Sequence, residues 1–143
     1  MIAVDTNVLV YAFVPHSRFH DQAVTELESL ATGAVPWGLP VFAIGEFLRV
    51  VTHSGYLSPP ADISAAVANI DDLLRSSTAE LLVPDMRFWP VMRDVLADAR
   101  VSGNNVFDAQ IVAVCLEHGV DTILTEDRDF RRFTSIRVQH LDG

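Results

Sequence analysis

The chain alternates short, almost purely apolar runs with longer stretches in which apolar residues recur every three or four positions. The short runs are typical of strands buried on both faces, and the longer stretches are typical of helices with one apolar side. The predicted strands comprise residues 2–4, 35–39, 79–83, 120–125 and 136–138. The predicted helices comprise residues 8–13, 20–30, 40–51, 62–74, 88–101 and 106–116. This alternation predicts a parallel sheet with helices on both faces.

Polar residues follow the first predicted strand at once. Asp5 comes directly after the apolar run, and Thr6 and Asn7 are both residues that favour the start of a helix. In open α/β sheets, ligands bind at the carboxyl ends of the strands. Asp5 therefore lies where chemistry is expected. Alternatively, Asp5 only caps the next helix, and this stretch alone leaves both interpretations open.

Three more carboxylates lie where they can converge with Asp5. Glu46 lies on the largely apolar helix 40–51, Asp127 follows the fourth strand, and Asp108 begins a buried helix for which Asn105 is the predicted N-cap. Each of these acids also has a purely structural explanation. Glu46 would lie on the solvated side of its helix, Asp127 would belong to a turn, and Asp108 would complement the helix dipole from the first turn. Two carboxylates about 5 Å apart repel by about 3 kcal/mol at an effective dielectric constant near 20. A cluster therefore needs protons or a cation, and ligation by oxygen atoms suits Mg²⁺ or Mn²⁺.

Composition narrows the function classes. The length of 143 residues fits one domain, 1–143, and the net charge of −9 argues against a simple nucleic-acid binder. The absence of lysine excludes haloacid-dehalogenase-type phosphatases and receiver domains, and no glycine-rich dinucleotide motif follows the first strand. The single cysteine, Cys115, lies in an apolar run and indicates a core thiol and a cytoplasmic location. Because no apolar run approaches about 20 residues, no membrane association is expected.

The ordered set of polar motifs resembles the pattern of PIN-domain ribonucleases, and its spacing resembles the VapC toxins of bacterial VapBC pairs. The resemblance covers nearly the whole chain and rests on the segments Val4-Asp5-Thr6-Asn7, Glu46, Gly103 through Asp108-Ala109, and Thr125 through Phe130. It implies a single PIN-like domain, a three-layer α/β/α sandwich around a mainly parallel sheet. The implied catalytic and metal-binding acids are Asp5, Glu46, Asp108 and Asp127. The implied supporting residues are Thr6, Asn7, Thr125 and Asp129.

The resemblance also implies an activity and its partners. It implies a Mg²⁺-dependent endoribonuclease, with Mn²⁺ as a substitute, that acts as the toxin of a type II toxin–antitoxin system. Cleavage of tRNA, rRNA or mRNA by a metal-activated water would leave a 5′-phosphate and a 3′-hydroxyl. The implied partners are an RNA substrate, a cognate VapB-like antitoxin and a second copy of the chain in a homodimer. The alternative is a non-catalytic PIN-like module that binds RNA or protein.

Two further groups of side chains bear on partners. The chain holds more large apolar residues than the core of a 143-residue domain obviously needs. This excess predicts an exposed apolar patch on the elements that carry Phe13, Trp37, Phe42 and Phe47. Three arginines follow Asp127, and they either contact phosphates or form a solvated basic face: Arg128, Arg131 and Arg132.

Overall fold

The computed structural model of the protein describes residues 1–142, which form a five-stranded sheet and six α-helices. The strands are β1 (Ile2–Val4), β2 (Trp37–Pro40), β3 (Ala79–Leu82), β4 (Thr122–Leu124) and β5 (Arg137–Gln139). The helices are α1 (Thr6–Phe13), α2 (His20–Thr32), α3 (Val41–Val51), α4 (Ile63–Leu74), α5 (Phe88–Ala99) and α6 (Asn105–Glu117). A short 3₁₀ helix, Arg128–Arg132, lies between β4 and β5.

The strand order in the sheet is β3-β2-β1-β4-β5, and every neighbouring pair is parallel. The short apolar runs form these strands because helices cover the sheet on both faces. The predicted three-layer α/β/α architecture is therefore confirmed. β1 lies in the centre of the sheet, and Val4 at its end pairs with Leu124 at the end of β4. The residues that follow these two strands consequently emerge side by side.

Helix α6 is the most deeply buried helix. Its residues Ile111 to Cys115 are almost completely excluded from solvent, as its nearly uniform apolar sequence predicts. Cys115 is fully buried, which confirms the prediction of a core thiol, and this burial raises the pKa of the thiol to about 12. Gly119 ends the helix in the left-handed conformation that glycine favours, with φ of +73°. No helix among residues 1–142 is long and apolar enough to cross a bilayer.

The starts of two helices differ from the sequence prediction. α1 begins at Thr6 rather than at residue 8, because the Asp5 side chain caps it by accepting a hydrogen bond from the Thr6 backbone N–H. α6 begins at Asn105, so the prediction of Asn105 as the N-cap is wrong. Asn104 occupies the cap position without a side-chain hydrogen bond, and Asp108 is the fourth helical residue.

The prediction of an exposed apolar patch at Phe13, Trp37, Phe42 and Phe47 is wrong. Trp37 and Phe47 are fully buried in the core, and Phe13 and Phe42 are half-buried and pack against it. The Phe13 ring packs edge-on against Phe47 with ring centroids 5.4 Å apart. A chain of this length therefore does accommodate these large side chains. The most exposed large apolar residues lie elsewhere, and they include Met86 and Trp89 just before and within the first turn of α5.

Candidate active site

Asp5 is held in a fixed orientation at the carboxyl end of β1. Its side chain is almost fully buried, and one carboxylate oxygen accepts the Thr6 backbone N–H at 2.7 Å. The other oxygen accepts the Asn7 amide at 3.1 Å and the Thr125 hydroxyl at 2.7 Å. Thr125 reaches Asp5 because Val4 of β1 pairs with Leu124 of β4, and these residues directly precede Asp5 and Thr125. Asp5 therefore caps α1, as the alternative interpretation of the sequence predicted. It is also part of a larger polar network.

The residues predicted to support the site form the centre of this network. The Thr125 hydroxyl is fully buried, and it accepts the Asn7 amide at 2.9 Å and the Asp127 backbone N–H at 3.0 Å. The Asn7 carbonyl oxygen accepts the backbone N–H of Glu126 at 3.1 Å. These contacts tie the start of α1 to the turn after β4. That turn carries Asp127, so the network fixes the position of Asp127 relative to Asp5.

Glu46 and Asp129 lie at the edge of the same network. The Thr6 hydroxyl donates to the Glu46 carboxylate across a long contact of 3.4 Å, which links α1 to α3. The Asp129 backbone N–H donates to the Asp127 carboxylate at 2.9 Å. Asp129 is exposed, whereas Glu46 and Asp127 are half-buried.

A cavity of about 980 Å³ lies between α3 and α6 and extends to the turn after β4. Four of the predicted acids line this cavity: Glu46, Asp108, Asp127 and Asp129. Asp5 does not line it, and the hydrogen bonds of Thr125 connect Asp5 to the backbone of Asp127. The remaining lining residues are Val41, Phe42, Gly45, Arg49, Tyr56, Asn104, Asn105, Phe107, Gln110 and Ile111.

The carboxylates of this site repel one another. Burial, followed by the charges of the other acids, raises the pKa of Asp108 to about 7. Burial also raises the pKa of Asp5 to about 6, although the hydrogen bonds from Thr125 and Thr6 oppose this shift. Within residues 1–142, neither an arginine nor the amino terminus lies within 4 Å of any acid of this site. Among the described residues these acids therefore have no direct ion-pair partner, and Arg49 is the arginine that lines the same cavity.

The donor set fits a hydrated divalent cation better than a closed protein cage. As the side chains stand, no three His, Cys, Asp or Glu residues of the described chain converge closely enough to hold one metal ion. Mg²⁺ usually retains several waters and takes only one or two carboxylates. The acids around the cavity offer only oxygen ligands, and their mutual repulsion would be relieved by a cation. The residues present thus fit Mg²⁺ or Mn²⁺.

Sequence patterns did not point to the wall of the cavity beside the acids. Arg49 lies one helical turn after Glu46 and belongs to none of the motif segments. Phe107 directly precedes Asp108 within the segment 103–109, but no role was predicted for it. Tyr56 lies in the loop after α3, where no periodic pattern applies. Adjacency to a predicted acid was the one signal that could have identified Arg49 and Phe107.

Comparison with known proteins identifies the family. The model of the PIN domain family matches residues 2–135. The chain is 38% identical over its full length to VapC ribonuclease Mb2897 of Mycobacterium bovis, covering 97% of that protein. It is 39% identical to ribonuclease VapC48 of Mycobacterium tuberculosis over 94% of this chain and 93% of that protein. The chain belongs to the VapC family of PIN domains.

The fold of this PIN domain also matches solved structures. VapBC2 of Rickettsia felis, crystallised with a promoter DNA fragment, superposes with a TM-score of 0.70 over 98% of both chains. The sequence identity is 19%, so this likeness concerns the fold alone. The family and the architecture predicted from the polar motifs are both confirmed.

The Thr125 hydroxyl gives a first test of the network in this PIN domain. Thr125→Val should lower the free energy of unfolding by about 1–3 kcal/mol, because the backbone N–H of Asp127 and the Asn7 amide lose a buried acceptor. It should also raise the pKa of Asp5 further, since the hydroxyl donates to that carboxylate. Urea unfolding and NMR titration measure the two effects. Thr122→Val is the matched control, because the Thr122 hydroxyl donates to exposed Asp121, and equal effects from both variants would contradict the network.

Proposed function

We propose that this VapC-family chain is a Mg²⁺- or Mn²⁺-dependent endoribonuclease that acts as the toxin of a type II toxin–antitoxin pair. One observation carries the proposal: acids from α3, α6 and the turn after β4 line one cavity, and within residues 1–142 none of them forms an ion pair within 4 Å. The names of the full-length relatives, which are ribonucleases, support it. The proposed catalytic and metal-binding residues are Asp5, Glu46, Asp108 and Asp127.

The chain's own residues have distinct roles in this proposal. Glu46, Asp108 and Asp127 line the cavity and would hold the cation there. Asp5 would complete this set of acids, and its carboxylate is oriented by hydrogen bonds from Asn7 and Thr125. When bound, the cation would activate water and neutralise charge on the scissile phosphate. The raised pKa of Asp108 means that binding of a cation competes with binding of a proton at that carboxylate. The proposed nucleophile is water, and Cys115 cannot take its place because the thiol is buried in the core.

We propose two protein partners for the chain. One is a VapB-like antitoxin, because the structural neighbour from Rickettsia felis is a VapBC assembly. The other is a second copy of the chain, and exposed apolar side chains near the edge strand β3 offer a surface for it: Leu81, Val83, Met86 and Trp89.

The proposal predicts cleavage that depends on a divalent cation and leaves defined ends. Purified chain, separated from any antitoxin, should cleave RNA in Mg²⁺ or Mn²⁺ and leave a 5′-phosphate and a 3′-hydroxyl, because water is the nucleophile. Excess chelator should abolish cleavage. Ligation of adaptors specific for each type of end, followed by sequencing, identifies both the products and the sites.

The same assay separates the enzyme from a binding module. Retention of RNA without cleavage in any divalent cation would favour the non-catalytic PIN-like alternative. Cleavage that continues in chelator, or products with 2′,3′-cyclic phosphates, would contradict the proposed chemistry.

A further inference from the structure

A short segment after the last strand packs against the turn that carries Asp127. Segment 139–141 begins with the last residue of β5, runs beside the end of β4 and places Leu141 in the core. It lies beyond residues 2–135, which the model of the PIN domain family matches. None of its residues lines the cavity of the acids. Its contacts reach these acids through the turn after β4.

Thr125 is bonded to this segment through its main chain. Its backbone N–H donates to the Gln139 carbonyl oxygen at 2.9 Å, and its own carbonyl oxygen accepts the Nδ1–H of His140 at 2.6 Å. Its hydroxyl donates to Asp5 and accepts the backbone N–H of Asp127. The segment therefore holds the main chain of this buried threonine, while the side chain of the threonine holds the acids.

The contacts of His140 define the tautomer of its ring. A carbonyl oxygen only accepts hydrogen bonds, so the Nδ1 atom that faces Thr125 carries the proton. The Nε2 atom lies 3.4 Å from the guanidinium of Arg131, which only donates, so Nε2 is an acceptor. Contacts at both nitrogen atoms therefore orient the imidazole ring.

Glu126, the next residue of the turn, is held from two sides. Its carboxylate accepts the backbone N–H of Leu141, and its own backbone N–H donates to the Asn7 side chain at 3.1 Å. Because Leu141 is almost fully buried, the first of these contacts is anchored in the core. Glu126 itself does not line the cavity. Its carboxylate is therefore placed to fix the turn and not to hold a cation.

From these contacts we infer that His140 and Glu126 are positioning residues for the metal site. They attach the turn after β4 to segment 139–141, and the turn places Asp127 at the cavity. Neither side chain contacts the cation or the RNA. The inference rests on the proposed function, in which Asp127 is a metal ligand, and it adds two residues for which no role was predicted from the sequence.

Amide hydrogen exchange in the metal-free chain tests these contacts without requiring activity. His140→Phe keeps a planar ring but removes the donor, so the backbone N–H of Asp127 should exchange about tenfold faster. His140→Asn places an amide N–H near the position of Nδ1 and should restore slow exchange. His118→Phe is the matched control and should leave this amide unchanged. The His118 ring also contacts a backbone carbonyl, that of Val83 at 2.7 Å, and neither residue lines the cavity.

Calorimetric titration with Mn²⁺ alone tests the consequence for the site. His140→Phe should weaken Mn²⁺ binding by about tenfold and His140→Asn should restore it, because residues that orient a metal ligand affect affinity without touching the metal. Glu126→Met and Glu126→Gln lose the same charge, but only glutamine keeps a strong acceptor for the Leu141 N–H. The Met variant should bind Mn²⁺ about tenfold more weakly than the Gln variant. This second pair decides the test if His140→Phe does not fold.

The His140 ring also provides a spectroscopic signal. At about pH 8, where imidazole rings are generally neutral, ¹⁵N NMR of the parent chain should show the Nδ1–H tautomer for His140. The Nε2–H tautomer would contradict the hydrogen bond to Thr125 and would overturn the role of His140.

The Mn²⁺ titrations give the decisive outcomes. Unchanged affinity in both His140→Phe and Glu126→Met would overturn the inference even if amide exchange becomes faster, because the contacts would then stabilise the turn without positioning a ligand. Equal weakening in the Phe and Asn variants of His140, or in His118→Phe, would also overturn it. If the parent chain binds Mn²⁺ and cleaves RNA while the variants behave like it, only this inference fails. If the parent chain neither binds Mn²⁺ nor cleaves RNA, the proposed function fails and the inference fails with it.

Discussion

Asp108→Asn is expected to reduce RNA cleavage by about a thousandfold or more while leaving the fold intact. The amide keeps the shape of the side chain but removes the charge that would hold a cation. Asp108 is well suited to this substitution because its side chain lines the cavity and, within residues 1–142, no hydrogen bond to its carboxylate contributes to its pKa. By contrast, Asp5→Asn would place an amide against the donors Asn7 and Thr125, so its effects would combine lost charge with lost hydrogen bonds.

The same variant should be more stable than the parent chain in chelator at about pH 8. Burial and the neighbouring charges, which together raise the pKa of Asp108, then act on a neutral group, and a gain of about 1 kcal/mol is expected after allowance for solvent screening at this half-exposed site. Cleavage assays and urea unfolding measure the two effects on one preparation. Asp94→Asn, which removes an exposed carboxylate on α5, is the control. A destabilised Asp108→Asn protein with normal cleavage would show that Asp108 serves only the helix start.

The metal-free protein is expected to lose stability as the pH rises from about 4 to about 8. The pKa of Asp5 is about 6 and that of Asp108 about 7 in the folded protein, against 3.8 for the ordinary group. The folded state therefore binds more protons than the unfolded chain in this range, and each rise in pH favours unfolding. The stabilisation of the folded state by protonated Asp5 and Asp108 is complete below about pH 4 and is lost above about pH 7. Asp5, which is buried, should account for about 2–3 kcal/mol.

Two comparisons isolate this effect from other titrating groups. Asp108→Asn should reduce the loss of unfolding free energy with rising pH, because one of the two protonated acids is gone. Subtracting the pH profile of this variant from that of the parent chain cancels the contribution of groups that both proteins share. Excess Mg²⁺ should restore stability above about pH 7, because a bound cation stabilises the charged carboxylates. A free energy of unfolding that stays constant or rises between about pH 5 and 8 in chelator would contradict the raised pKa values.

The sequence was sufficient to predict at which strand ends two of the candidate acids lie. Asp5 and Asp127 follow short apolar runs, and the carboxyl ends of adjacent parallel strands meet at one edge of a sheet. Glu46 and Asp108 could be assigned to helices because each lies within or at the start of an apolar periodic stretch. These predictions depend on local pattern and on topology, which the order of apolar and polar residues largely determines.

The details that depend on three-dimensional contacts could not be predicted. The role of Thr125 as a shared hydrogen-bonding partner of Asp5, Asn7 and Asp127 requires the register between β1 and β4, which no single segment specifies. Burial of Trp37 and Phe47 likewise depends on how helices and sheet pack, not on the local count of large residues.

Calorimetric titration of the metal-free chain with Mn²⁺ tests the central claim most directly, because the claim is that the acids of this cavity form a divalent-cation site. The titration should show saturable binding that Asp108→Asn and Asp127→Asn each weaken by at least about tenfold and that Asp94→Asn leaves unchanged. Absence of saturable binding, or equal affinity in all four proteins, would contradict the assignment of the cluster as a metal centre.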